Sequence, residues 1–167
     1  MKKFLILSVL LAQSAFAQMP NSTNANLSVG YKTAEIGVTH TLESEFILGG
    51  SFALTDSKMI ENRTNKIDRG SYLHKMNSKY TPSAFALMGG NFDRINFIGK
   101  VGATYIDQNI CKINNSMQTD GVYTKDSKVL YLACGMEIMY QVSDFVGISG
   151  SFDNVSGAML GINFKIN

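Results

Sequence analysis

The side chains in this 167-residue sequence that could do chemistry are two histidines, two cysteines and a set of charges at alternating positions. His40 has Glu43 and Ser44 close by, and His74 is followed by Asn77 and Ser78. A base with a hydroxyl and an acid in reach is the minimum for hydrolysis or acyl transfer. Such neighbours are common by chance, and neither stretch adds a further catalytic signature. Two separated histidines and two separated cysteines give no metal-ligand spacing. Gly49-Gly50 and Gly89-Gly90 lie within or at the end of extended runs, where they suit chain curvature better than phosphate binding. The residues therefore point away from an enzyme and away from any cofactor or metal.

Glu35, Glu45, Arg94, Lys100, Glu137 and Lys165 form the more coherent set, because each lies opposite an apolar stripe. Three acids balance three bases. If the stripes face outward, these six point inward as a polar network, since buried charges need partners and these can serve one another. The alternative is a proton or ion path along the interior.

The elements that must position these residues are strands. Leu160, Ile162, Phe164 and Ile166 alternate with Gly161, Asn163 and Lys165 at the end of the chain. Strict alternation puts one residue set on each face of a strand. Eight such runs are expected, near 25–31, 33–42, 45–54, 82–90, 94–106, 128–140, 145–152 and 156–166. The run at 82–90 is ambiguous, because Phe85 and Leu87 oppose Ala84, Ala86 and Met88. The links between runs are short except 55–81 and 107–127. In an up-and-down sheet both long links fall at one end, and the chain ends fall at the other. A hairpin flanked by Tyr105 and Lys128 places Cys134 opposite residue 100 and Cys111 in the loop beyond, so the cysteines are not expected to bond.

The first residues read as a secretory signal. Lys2 and Lys3 precede an apolar stretch from Phe4 to Ala12, and Ala15-Phe16-Ala17 fits a small-x-small cleavage site. Residues 1–17 are expected to be removed, leaving 18–167 as one domain. Later segments offer no run of about 18 apolar residues, as a membrane helix would need. Without Lys2 and Lys3 the formal charge falls from +2 to neutral, which implies no nucleic-acid partner.

This organisation resembles the small eight-stranded bacterial outer-membrane barrels of the OmpX/Ail and OmpA-type families. The resemblance covers the whole mature chain and rests on the signal Ala15-Phe16-Ala17, the alternation, the loop asymmetry and the apolar last strand. It implies an all-β, eight-stranded antiparallel up-and-down transmembrane barrel with two long extracellular loops. It also implies residence in the outer membrane, contact with its lipid and lipopolysaccharide, and assembly by the barrel-assembly machinery. Leu160, Ile162, Phe164 and Ile166 would face the membrane. Family members commonly end in an aromatic residue, whereas this chain ends in Asn167, three residues past Phe164. An eight-stranded barrel is wide enough only for side chains, so the interior charges would form a plug.

The first long link carries Lys58, Arg63, Lys66, Arg69, Lys75 and Lys79 against Asp56, Glu61 and Asp68, a formal +3. On an outer surface it could meet lipopolysaccharide phosphates or a sulfated host ligand, or serve only as a solvated loop. The reading favoured is a non-enzymatic barrel that displays surface loops for interaction or envelope stability. The alternatives are a small pore, a lipid A-modifying enzyme using His40 or His74, and a soluble lipocalin-like barrel with its faces inverted.

Overall fold

Between Val146 and Asp153 burial alternates without exception: Gly147, Ser149, Ser151 and Asp153 are buried, and Val146, Ile148, Gly150 and Phe152 are exposed. Small polar side chains inside and large apolar ones outside set the theme of the molecule. The computed structural model describes residues 22–42, 44–67, 72–112 and 124–166. The expected signal at 1–17 lies outside the described residues.

Among the described residues there are nine strands and one helix. They are β1 (Thr23–Gly30), β2 (Thr33–Thr41), β3 (Phe46–Asp56), α1 (Ser57–Ile67), β4 (Tyr72–Met76), β5 (Tyr80–Phe92), β6 (Ile95–Lys112), β7 (Thr124–Gln141), β8 (Val146–Asp153) and β9 (Gly157–Ile166). All pairings are antiparallel. Eight strands close in the order β1-β2-β3-β5-β6-β7-β8-β9. The ring is sealed by β1 against β9, from Thr23↔Ile166 to Gly30↔Met159. Closure matters because lipid offers no hydrogen bonds to an open strand edge.

The outward stripes are as the alternation predicts. Leu130, Leu132, Met136, Ile138, Leu160, Ile162, Phe164 and Ile166 are exposed, Leu130 at 72%. Packing resolves the ambiguous run. Phe85 and Leu87 are buried inside, while Ala84, Ala86 and Met88 face out. The inverted, lipocalin-like arrangement is thereby excluded, since it would bury Leu130 and expose Lys100, which is 1% exposed. Exposed aromatic residues lie toward both ends of the wall, with Tyr31, Tyr80, Tyr105 and Phe152 at one and Phe46, Phe92, Tyr140 and Phe145 at the other. This banding suits the two membrane interfaces. The β5–β6 ladder approaches so closely at Gly102 that a side chain there would collide with the Ala84 carbonyl oxygen of the neighbouring strand.

Two expectations about the links need correction. The segment 55–81 is not a plain loop, because it holds α1 and β4, and β4 pairs with the far end of β6, from Tyr72↔Lys112 to Met76↔Gln108. The link after β6 is also shorter than expected. β6 and β7 remain paired from Ile95↔Tyr140 out to Cys111↔Thr124, so Cys111 lies in a strand. β4, β6 and β7 thus form a three-stranded sheet that stands above the barrel on the side opposite the start of β1 and the end of β9.

Candidate functional site

Lys100 projects from β6 into the middle of the barrel. Its Nζ donates to Glu35 Oε1 at 2.7 Å and Oε2 at 2.6 Å, from β2. Asp153 Oδ2, from β8, lies 3.7 Å away. The ammonium also sits 4.6 Å from the centre of the Phe85 ring, from β5. Four strands therefore converge on one buried cation, and they do so by parity: each contributes an inward-facing position. A charge removed from water must be met by opposite charge and by hydrogen bonds, and the ring face adds electrostatic attraction. Asp153 has a second task, since its Oδ1 accepts from the backbone N–H of Val155 at 2.9 Å and of Ser156 at 2.6 Å. It shapes the turn into β9 while it faces Lys100.

Glu137 is also buried, one inward position along β7, with Ser151 as its register partner on β8. The other sequence-selected charges are not in this cluster. Glu45 is exposed in the β2–β3 turn, at φ 61° and one residue before β3 begins. Arg94 is exposed in the tight β5–β6 turn after Asp93, at φ 57°. Alternation carries a side chain inward only while the strand lasts, and both residues fall beyond a strand end. Lys165 is half-buried at the mouth where β1 starts and β9 ends, in a shallow pocket with Asn24, Asn96, Gln141 and Asn163. Sequence reasoning missed Asp153, because the run was ended at 152. It also missed the buried pair Asn26 and Asn163, which are register partners on β1 and β9. One more step of the β8 alternation would have found Asp153.

The histidines lie near opposite ends of the molecule. His40 Nδ1 is 3.0 Å from Thr23 Oγ1, and His74 Nδ1 is 3.1 Å from Gln108 Oε1. Cys111 and Cys134 are unbonded thiols.

The opposite, outer end of the barrel carries a built platform. Asp56 Oδ1 accepts from the Lys58 N–H at 2.9 Å, a cap of the kind that starts helices. Ile60 then turns down and packs with Val155 in the core. Arg63 donates to the carbonyl oxygens of Asn154 at 2.9 Å and Val155 at 3.1 Å, so α1 reaches from β3 to the β8–β9 turn across the mouth. Asn65 brackets His74, accepting from its N–H at 2.7 Å and donating to its carbonyl at 3.1 Å. Glu61 Oε2 accepts from the Met76 N–H at 2.9 Å. Lys58, Lys66, Lys75 and Lys79 are exposed on this platform, and Arg69 lies outside the described residues. Lys79 also stands 5.3 Å from the Tyr80 ring, and Lys32 stands 5.4 Å from the Tyr31 ring on the same rim.

No protein-family model matches the sequence, and no characterised protein matches it by sequence. Solved structures do match. The attachment invasion locus protein Ail of Yersinia pestis aligns with a TM-score of 0.51 at 12% identity, over 87% of this chain and 95% of that one. A de novo designed transmembrane β-barrel aligns with a TM-score of 0.50 at 13% identity, over 89% and 98%. The N-terminal barrel of Pseudomonas aeruginosa OprF aligns at 0.47 and 13% identity, over 87% and 96%. With a closed eight-strand ring, a lipid-compatible outer wall and a charged, filled interior, the chain has the fold of the small bacterial outer-membrane barrels, and its apolar belt places it in that membrane.

Proposed function

We propose that this protein is a non-enzymatic, non-conducting outer-membrane barrel that works through the platform at its outer end. The observation that carries this reading is the pairing state of the platform's charges. Among the described residues of the segment 56–79, the two carboxylates, Asp56 and Glu61, are engaged by backbone N–H groups. Lys58, Lys66, Lys75 and Lys79 are exposed on a folded scaffold, and none of the four is ion-paired among the described residues. Fixed ammonium groups on one surface suit a polymer that carries clustered phosphate or sulfate groups. Lipopolysaccharide phosphates of the same membrane and a sulfated polysaccharide from outside share that chemistry.

The barrel beneath acts as a stand. Its centre is occupied by Lys100, Glu35, Asp153 and Phe85, so unitary conductance in planar bilayers is expected to be absent. Residues 1–17 would direct export and be removed, and the stripe Leu160, Ile162, Phe164 and Ile166 would be the part read by the assembly machinery.

The test is binding of the folded barrel, in lipid nanodiscs, to immobilised lipopolysaccharide and to immobilised heparin. The quadruple variant K58E/K66E/K75E/K79E should lose binding to whichever polymer the wild type retains, and wild-type binding should weaken as salt rises. Wild-type binding that survives the four reversals would refute the assignment. Retention of lipopolysaccharide alone or heparin alone separates the two sources.

A further inference from the structure

The charges inside the barrel do not balance. Among the described residues Glu35, Glu137 and Asp153 are buried there, with Lys100 as the one buried ammonium. Lys100 gives Glu35 two hydrogen bonds and stands 3.7 Å from Asp153. Asp153 also accepts from the N–H groups of Val155 and Ser156. Glu137 is the carboxylate left over. Among the described residues it has no ion pair within 4.0 Å, and its Oε1 has no hydrogen-bond partner. A buried carboxylate without a counter-charge is costly.

Neutral oxygen-bearing groups adjoin it on the side away from Asp153. Ser151 is directly across on β8, and Ser149, one inward step toward the lower mouth where β1 starts and β9 ends, stands beside it. Ser149 is level with Gly161 of β9. A side chain at Gly161 would collide with the hydroxyls of Ser149 and Ser28, so glycine leaves space between them. One step further down, Asn163 of β9 is paired with Asn26 of β1. Glu137, Ser149, Ser151, Asn26 and Asn163 are each more than nine-tenths buried. Both serine hydroxyls and both amide atoms of each asparagine have no hydrogen-bond partner among the described residues. Asn163 also lines the pocket at the lower mouth, which has room for about one water molecule. The cluster therefore has an approach from below, while the Lys100–Glu35 pair closes it above. Lys165, on the rim of that pocket, is half-exposed, so water screens its charge.

We infer that Glu137, Ser149, Ser151, Asn163 and Asn26 form a binding site for one monovalent cation of sodium's size, loaded from the lower mouth. Carboxylate, hydroxyl and amide oxygens are hard donors, which suit alkali and alkaline-earth cations rather than transition metals. One carboxylate among neutral oxygens matches a single positive charge. No group of three His, Cys, Asp or Glu side chains placed to hold a metal occurs among the described residues, which disfavours a divalent ion. The interior of an eight-stranded barrel has space for little beyond side chains, which favours the smaller alkali ions. Water completing the ion's shell can accept from the two asparagine Nδ2 groups. The bound cation supplies the charge that Lys100 does not, and because the path ends at Lys100 it binds without crossing. The inference is independent of the anion binding proposed above.

The experiment follows urea unfolding of the barrel in phosphatidylcholine vesicles by circular dichroism of its strands. Sodium chloride is compared with N-methylglucamine chloride at one ionic strength, which removes general screening. A ligand that binds only the folded state raises the midpoint. Sodium at about a hundredfold above its dissociation constant should raise it by about 1 M urea. Glu137→Gln keeps the shape and removes the charge, so its midpoint should be the same in both salts. Asn163→Ala should need several-fold more sodium for the same rise. The quadruple variant K58E/K66E/K75E/K79E should keep the full sodium response, so failure of the anion-binding proposal is read separately. A wild-type midpoint indifferent to sodium overturns the inference and leaves the Glu137 carboxyl to take up a proton. A Glu137→Gln variant that responds like the wild type also overturns it, as does a rise seen with calcium chloride alone. Should Glu137→Gln fail to fold, the Asn163→Ala titration decides, and a response equal to the wild type overturns the site.

Discussion

Replacing Lys100 by Met should be the most damaging conservative change in the barrel. The side chain stays unbranched, one atom shorter, and loses its charge. Glu35, which accepts two hydrogen bonds from it, and Asp153, 3.7 Å away, are then left facing each other without a cation. Breaking a buried pair by removing one partner costs about 3–5 kcal/mol. With a denaturant slope of roughly 2 kcal/mol per molar urea, a loss near the middle of that range lowers the midpoint by about 2 M. The assay is the fraction of barrel that keeps its unboiled gel mobility after equilibration in urea, which needs no tryptophan reporter. Glu35→Gln should cost less than Lys100→Met, because Asp153 still faces the ammonium. The double variant K100M/E35Q should recover part of the Lys100→Met loss, since one fewer buried carboxylate is left unpaired. A K100M midpoint within about 0.5 M of the wild type would refute the reasoning, as would a double variant as unstable as the two single losses added together.

Arg63→Ala removes both bonds from α1 to the β8–β9 turn; the contact is partly exposed, so a loss of about 1–2 kcal/mol is expected, read as roughly tenfold faster hydrogen exchange in α1 with the urea midpoint of the barrel unchanged. Asn65→Ala should speed exchange at the His74 N–H and leave the rest of the platform protected, because it unblocks one residue of the β4 edge. Gly102→Val should abolish the heat-modifiable form, since the added side chain meets the Ala84 carbonyl across the β5–β6 ladder. Gel mobility of the wild type should be the same with and without reductant. Cys111 is level with Thr124, ten residues along β7 from Cys134, so the thiols are roughly 34 Å apart.

The barrel wall was legible in the sequence because each half of the code is local. A lipid-facing position in β7, β8 or β9 is large and apolar, its neighbour is small or polar, and no knowledge of the partner strand is needed. Where both sets are apolar the code fails, as at Phe85/Leu87 against Ala84/Ala86, and only packing around Lys100 decides. The charges Glu35, Lys100 and Glu137 were readable as inward positions. Glu45 and Arg94 misled because parity says nothing about where a strand stops. α1 was passed over because its apolar signal is sparse: Ile60 is its one apolar side chain buried in the core, and its other anchors are polar, Ser57 on Thr81 and Arg63 on the β8–β9 turn. Asp56 ahead of Lys58 was a usable start signal. β4 had no local signature, since its pairing partner lies about thirty-five residues further along the chain.

The seam between β1 and β9 has a consequence for how the molecule comes into being. The first strand's outer ladder is supplied by the last strand, from Thr23↔Ile166 onward. Until the C-terminal residues have been made and delivered, β1 has one edge without a partner, and the interior around Lys100 stays open to water. The contacts that complete the ring span the greatest separations in sequence, so the loop-closure entropy must be met before they contribute. Folding of the wall is thereby tied to the arrival of β9. A copy lacking β9 would be left with two raw edges, one on β1 and one on β8, so the same seam separates a closed wall from one that exposes strand edges.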